Sequence, residues 1–556
     1  MTRRGCGEEL VFLPLGGAGE IGMNLNLYGY GRPDQHRWLM IDLGVTFGNG
    51  SVPGIDVMMA DPGFIVERRD RLEAIVVTHA HEDHVGAVPY LWPRLRCPVY
   101  ATPFALAILR GKLADVPWGD QVPLHCLDTD RRLRLGAFEL EFIGMTHSIP
   151  EAQGIAIRTD KGIVLHSGDW KLDPSPVVGA TSDEDALRRI GDEGVLAAVC
   201  DSTNVFENGW SGSEGGLLSV LSDTIAKCPQ RVFITCFSTN IARIQTIAAA
   251  ARNDGRSVVI AGASLARNCQ AARDCGYLAD SEPFVDADMF GYLPKNKTVV
   301  MCTGGQGEPR AALSRIIAGE YPKVTISEGD TVIFSTRVIP GNERMIGQLH
   351  NRLLRQGVRV VNNRSAAVHV SGHPARDELA RMYALIRPRF AVPVHGEWRH
   401  LQEHAALAMA QGVEQAVVAD NGSMVRLAPE PPEIIQTVPV GRLVVDGGRV
   451  VPLQGSISRS RNKVIYQGAV LVTVVVSRAK PAVHDVQLST LALLEDDEGD
   501  QLNAVASRIR TAIDELPQKK YNDQESVRET VRLVVRRSFR QVLDKKPIIQ
   551  VHLVYV

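Results

Sequence analysis

AIVVTHAHEDH, residues 74–84, joins a short apolar run to three histidines and two acids, and its reading decides the fold. AIVVT is β-branched and apolar, as a buried strand requires. His79, His81, Asp83 and His84 then follow within six residues. Packing gives no reason for so many imidazoles at one strand end. Imidazole nitrogen and carboxylate oxygen are the donors that hold Zn²⁺ or Mn²⁺ in hydrolytic sites. Residues two apart at a strand end share a face, so His79 and His81 can grip one ion. The chain then turns and offers Asp83 and His84 to a second.

Two ions need more ligands. His147 in GMTHS, Asp169 in HSGDWK and His395 in PVHGEW each close an apolar run, where a lone polar residue needs a reason. Taken singly, a strand-end histidine is more often structural. Following HxHxDH in this order, the three read as ligands. The expected assignment gives His79, His81 and His147 to one ion and Asp83, His84 and His395 to the other, with Asp169 bridging. A position between the ions stays open, where their charge lowers the pKa of water.

The 556 residues suggest two to four domains. A hydrophobic share of 45% with 22% charged residues is that of a globular chain. Sixty-one basic against 63 acidic residues give no bulk support for a nucleic-acid partner, although a local basic groove fits a neutral total. The nine cysteines, Cys6 among them, are odd in number and never spaced CxxC, which disfavours a disulfide framework and a cysteine zinc site. MTRRGCGEEL lacks a signal peptide's apolar stretch, and no run of 18 apolar residues appears, so a cytoplasmic protein with no membrane partner is expected.

Strand-like runs ending in Gly, His or Asp fill residues 1–204, an α/β first domain. From 205 to 364 the rhythm becomes βα: VFITCFS precedes IARIQTIAAAAR, and SVVIAG, TVVMCTGG and TVIFSTRVIPG follow. This reads as a parallel-sheet module inserted into the first domain, which resumes over 365–428 with strand tips at AVHVSGHP and FAVPVHGEW. Residues 429–461, opening on proline-rich sequence, form a linker and β-rich stretch. Residues 462–556 read as a small α/β domain, with strand material in VIYQGAVLVTVVVS, helices over 501–516 and 524–543, and a closing strand PIIQVHLVYV. The acidic run 495–500 reads as a solvated loop.

The ordered ligand set resembles the metallo-β-lactamase superfamily, whose αββα sandwich is therefore the expected core. An aspartate at position 169 resembles the phosphodiesterase and glyoxalase branches, where many lactam-cleaving members have cysteine. By the same resemblance, Asp42 in MIDLG supports the site from behind the ligands. The inserted module is similar to the β-CASP domain of the nucleic-acid branch. Ordered blocks through most of the chain, including GGAGEIGMN (16–24), HSGDWKLDP (166–174), CDSTNV (200–205), CFSTNIARIQ (236–245), CTGGQGEPRAALSRI (302–316) and HVSGHP (369–374), resemble the ribonuclease J family of bacteria. Two departures are Pro374, where a smaller residue is expected, and Thr336-Arg337, where small hydroxyl residues are.

His369, Val370, Ser371, Gly372 and His373 put two imidazoles, a hydroxyl and a glycine amide in one turn able to hold a phosphate. Ser238, Thr239 and Asn240 lie between a strand and a helix, where free amides favour anions. A simple helix cap remains open there. The resemblance implies that both segments bind the terminal phosphate and nearby backbone of RNA. It further implies 5′→3′ exonuclease action on 5′-monophosphate ends, with endonuclease action and roles in RNA maturation and decay. Asp83 and His84 would serve catalysis, Asp83 managing the nucleophile's proton and His369 assisting the leaving oxygen. Relatives also suggest a structural cation, such as Ca²⁺, at Gly54, Asp56 and Asp446, a homodimer or homotetramer, and membership of an RNA-degradation complex. His36, His125, His166, His350, His400, His404, His484 and His552 read as surface or packing residues. A DNA-processing nuclease keeps the same metals and stays open. A small-molecule hydrolase would not need the insertion, and an inactive scaffold would have lost ligands.

Overall fold

The computed structural model describes residues 7–48, 53–339, 341–429, 431–478, 482–495 and 499–556. Cys6 and residues 496–498 of the acidic run lie outside them. The chain divides into two compact units, one of Met1–Asn49 with Asp56–Val445 and one of Gly50–Ile55 with Asp446–Val556.

The first unit is built on two facing sheets. One has the strand order Glu433–Thr437, Ser423–Ala428, Glu9–Gly16, Leu25–Gly31, Arg37–Ile41, Leu72–Val76, Val99–Ala101, Leu124–Cys126. The other runs Leu133–Leu135, Phe138–Gly144, Gln153–Thr159, Gly162–His166, Val195–Asp201, Phe390–Val394, Gln415–Ala416. Leu10, Phe12, Ile41 and Val76 from the first pack with Phe138, Ile155, Val199 and Val392 from the second in one buried cluster. The second sheet's outer face packs on the helices Glu184–Glu193, Arg376–Ile386 and Trp398–Ala410, which contribute Leu187, Leu379 and Leu407 to a separate core. Strands such as Val195–Asp201 are buried along their whole length, which explains why they read as continuous apolar runs.

Gly162–His166, Val195–Asp201 and Phe390–Val394 are parallel neighbours, with Asp201 opposite Val394. Their carboxyl ends therefore open side by side, where sheets of this kind place their chemistry. The chain leaves this sheet after Asp201 and re-enters it at Phe390. Between them stands a five-stranded, all-parallel sheet in the order Ser257–Ala261, Thr298–Cys302, Val232–Thr235, Thr331–Phe334, Arg359–Val361. Its own core includes Phe233, Val300, Val332, Leu313 and Leu349. One expectation fails here: AVHVSGHP forms a loop and not a strand tip. Pro374 has no amide to donate, and the Ser371 hydroxyl accepts from the His373 amide at 3.2 Å, so the segment satisfies itself as a turn.

In the second unit, Ala469–Val476 pairs antiparallel with Val483–Leu491 and parallel with Ile548–Tyr555. The helices Gly499–Asp514 and Gln524–Leu543 cover one face, burying Val527, Val531, Val535 and Phe539 against Val470, Val472 and Val474. Val464–Gln467, expected as strand, instead end the helix Ser456–Gln467, because Gly468 turns the chain at φ +71°. Residue 462 thus falls inside that helix. Among the described residues no helix is long and apolar enough to cross a membrane.

Candidate metal centre

The strand Leu72–Val76 delivers Thr78 and His79 at its end, and the chain then turns through the short helix Glu82–Val85. His79 Nε2 lies 3.0 Å from His81 Nδ1, which lies 3.0 Å from His147 Nε2. Four tetrahedral nitrogen ligands around zinc stand about 3.3 Å apart, so these three are spaced for one ion. The remaining nitrogen of two of these rings is already engaged. His79 Nδ1 meets the Thr78 hydroxyl at 3.0 Å, and His147 Nδ1 donates to the Gly372 carbonyl at 2.5 Å. A Cβ on Gly372 would stand 2.8 Å from the His147 ring, so only glycine permits that approach.

A second group forms beside the first. His84 Nδ1 meets Asp42 at 2.7 Å, which turns Nε2 toward Asp169 Oδ2 at 3.2 Å and Asp83 Oδ2 at 3.6 Å. His395 Nε2 lies 3.1 Å from Asp83 Oδ2, and its Nδ1 meets the Thr203 hydroxyl at 2.9 Å. Asp42 and His395 both have positive φ, +65° and +53°, the strained backbone that clusters at functional sites. Asp169 Oδ2 also faces His79 and His147 at 3.9 Å each. The donor atoms fall into His79, His81, His147, Asp169 and Asp83, His84, Asp169, His395, each group within 4.8 Å. Donor type, convergence and anchored outer nitrogens all fit a pair of divalent ions.

The electrostatics differ between the two groups. Burial pushes His79 and His147 well below their ordinary pKa and His81 to about 4, so their nitrogens are neutral and free to coordinate. Burial would raise the Asp169 carboxyl, but His395, His84 and His373 hold it well below the usual range. Burial opposes charge on His84 and His395 too, yet Asp169 and the other carboxylates raise both.

A third group adds Asp201 and His373 to Asp169 and His395. Asp201 Oδ2 binds His373 Nδ1 at 2.7 Å, and the His373 ring stacks on His395 with centroids 5.5 Å apart. In the sequence His373 reads as part of a phosphate turn, and Asp201 carries no assigned role. Its one signal was a carboxylate closing the apolar strand VLAAVCD, the same signal that marked the other ligands.

The phosphate-loop residues are tied to both halves of the first unit. Arg243, fully buried, makes a two-pronged ion pair with Glu214 at 2.6 and 2.9 Å. It also donates to Ser335, to His369 Nδ1 at 3.2 Å and to the Val370 carbonyl at 3.4 Å. Asn204 donates to the Ser371 hydroxyl at 2.7 Å and to the His373 carbonyl at 3.0 Å. Asn240 caps the helix Ile241–Asn253 through the Arg243 amide, and Ser238 accepts from Asn268 at 3.1 Å. Asn240 thus serves as a helix cap. Thr239 is buried beside it.

Gly54, Asp56 and Asp446 join none of these groups; Asp56 pairs with Arg310, and Asp446 with Arg461 at 2.7 Å. Of the remaining histidines, His36 binds Glu9, His166 binds Tyr28, and His404 bridges Ser202 and Tyr383, all as packing residues.

Four family models match in succession: a beta-lactamase superfamily domain over 37–187, a ribonuclease J beta-CASP domain over 229–353, a Zn-dependent metallo-hydrolase RNA specificity domain over 358–418 and a ribonuclease J C-terminal domain over 457–556. A ribonuclease J from Sinorhizobium meliloti is 44% identical over 99% of this chain and 98% of its own length. The chain belongs to the ribonuclease J family. Other relatives of that name include one from Mycolicibacterium smegmatis, 37% identical over 96% of this chain and 95% of its own, and one from Thermus thermophilus, 34% identical over 85% and 83%. A solved protein of unknown function from Enterococcus faecalis shares the fold at a TM-score of 0.52 and 15% identity, over 75% of this chain and all of that one. As a member of the family, the chain is a metal-dependent nuclease of metallo-β-lactamase fold with β-CASP and C-terminal domains.

Proposed function

We propose that this enzyme hydrolyses RNA phosphodiester bonds with two divalent ions, Zn²⁺ or Mn²⁺, working 5′→3′ from 5′-monophosphate ends and also cutting internally, in RNA maturation and decay. The carrying observation is Asp169, shared by two convergent donor groups beside the 369–373 loop. Bound ions supply Lewis acidity, activate water and neutralise phosphate charge. Asp83, its carboxylate directed at His395 and partly exposed, accepts the nucleophile's proton. His373 keeps its Nδ1 on Asp201, so Nε2 is the nitrogen presented to the leaving oxygen. Burial, Arg243 and Arg337 hold His369 neutral, and its Nδ1 faces Arg243, which leaves Nε2–H to donate to a phosphate oxygen. In this reading His373 takes the proton role expected of His369, and His369 joins Val370, Ser371, Gly372 and the Ser238–Asn240 turn as the phosphate cradle. Its second unit serves a cytoplasmic homodimer or homotetramer.

The test is to present 5′-labelled RNA and DNA bearing 5′-monophosphate or 5′-triphosphate ends. Release of mononucleotides from monophosphorylated RNA first supports the reading; preferential cleavage of DNA opposes it.

A further inference from the structure

Beyond the phosphate loop lies a half-exposed surface of which the proposed chemistry uses only the charge of Arg337. Phe206 is 48% exposed although it directly follows the buried Asn204 and Val205. Its ring is not adrift: it packs edge-on to the buried His400 at 5.2 Å, and the Arg399 guanidinium stands 5.8 Å from its centroid. That separation is near the outer limit of a cation–π contact. The adjoining Glu207 pairs with Arg337 at 2.7 Å, and Arg337 also bonds the side-chain oxygen of Asn204. Asn204 in turn donates to Ser371, so this surface runs directly into the phosphate loop. Arg337 and Arg399 are 46% and 62% exposed, each paired with an acid, Glu207 or Glu397, that is itself about half exposed. Such pairs in water are weak and exchange readily for a stronger anion.

A fixed, accessible aromatic ring flanked by two exposed guanidinium groups is the combination that binds single-stranded nucleic acid, one base on the ring and backbone phosphates on the cations. The geometry points to a nucleotide subsite formed by Phe206, Arg337 and Arg399, which holds an unpaired RNA nucleotide next to the 369–373 loop. Guanidinium forks match phosphate oxygens in a way that lysine does not. The inference rests on the ribonuclease reading above.

Binding of a fluorescent, 5′-monophosphorylated, single-stranded RNA with cleavage-resistant phosphorothioate linkages tests it on the metal-loaded enzyme. Phe206→Leu keeps an apolar side chain and removes the ring, and should weaken Kd about tenfold, whereas Phe206→Tyr should stay within about twofold of wild type. Arg337→Gln should lower the slope of log K against log salt by about 0.7, one phosphate's worth on a single strand. A role in folding alone would not move that slope. Wild-type binding by both Phe206→Leu and Arg337→Gln, or equal loss in the Leu and Tyr variants, overturns the subsite alone. Wild-type enzyme that binds no RNA overturns the ribonuclease reading and the subsite with it.

Discussion

Asp42 and His84, 42 residues apart, meet at 2.7 Å with neither side chain open to solvent. Asp42 also accepts the Thr78 amide at 2.7 Å and its hydroxyl at 2.9 Å, so one buried carboxylate sets both the strand end and the imidazole. A carboxylate on the far nitrogen fixes a ligand's tautomer and raises its basicity. Asp42→Asn should therefore lower metal affinity about 10- to 100-fold without touching a ligand. Calorimetric titration with Zn²⁺ or Mn²⁺ checks this, and an unaltered affinity contradicts it.

Replacing Asp83 and His84 together would disturb packing as well as ligation, because His84 is 2% exposed and holds Asp42. Losing His84 would leave the buried Asp42 with Thr78 as its remaining partner and empty the space of a buried ring. Asp83→Asn alone is the cleaner variant, since it keeps shape and removes charge. Cleavage should fall at least about 100-fold, the low end for a proton-transfer group, while the melting temperature shifts little. Near wild-type turnover in saturating metal removes Asp83 from the mechanism.

The 5′-end preference is tested at Ser371. Since His373 sits on Asp201 beside the metal groups, changing it would impair every cut and blur the comparison. Ser371→Ala removes one phosphate donor and leaves that pair intact. Its ratio of monophosphate to triphosphate RNA degradation should move toward one, with internal cleavage retained. An undiminished ratio would remove Ser371 from the cradle.

Much of the site was legible because its donors sit where apolar strands end: His79, Asp169 and His395 each stand out against the run before them. Asp201 ends such a strand too, but its partner His373 lies 172 residues on, in a loop whose SGHP reads as phosphate-binding by itself. Arg243 was hidden more thoroughly. In IARIQTIAAAAR it takes the place of a solvated helix charge, and only the tertiary fold brings Glu214 and Ser335 around it. The strand Val483–Leu491 escaped because its half-exposed pattern VHDVQLSTL is too polar to stand out.

The second unit contributes no residue to the donor groups among the described residues. Its sheet keeps Leu471, Leu491 and Val554 about half exposed. Ending the chain before Asp446, and so sparing no part of the helix Ser456–Gln467, should lower the oligomeric mass and weaken activity on long RNA more than on a dinucleotide. Light scattering of the truncated protein decides it, and an unchanged assembly mass defeats the homo-oligomer role.

Two ions joined by Asp169 are proposed to carry the cleavage of RNA. The most direct test removes all metal with chelator, restores Zn²⁺ or Mn²⁺ in measured equivalents, and follows cleavage of 5′-monophosphorylated RNA against metal bound per chain. Cleavage should be absent without metal and should rise to a plateau at two equivalents. A plateau at one equivalent, or cleavage that survives complete metal removal, contradicts the two-ion proposal.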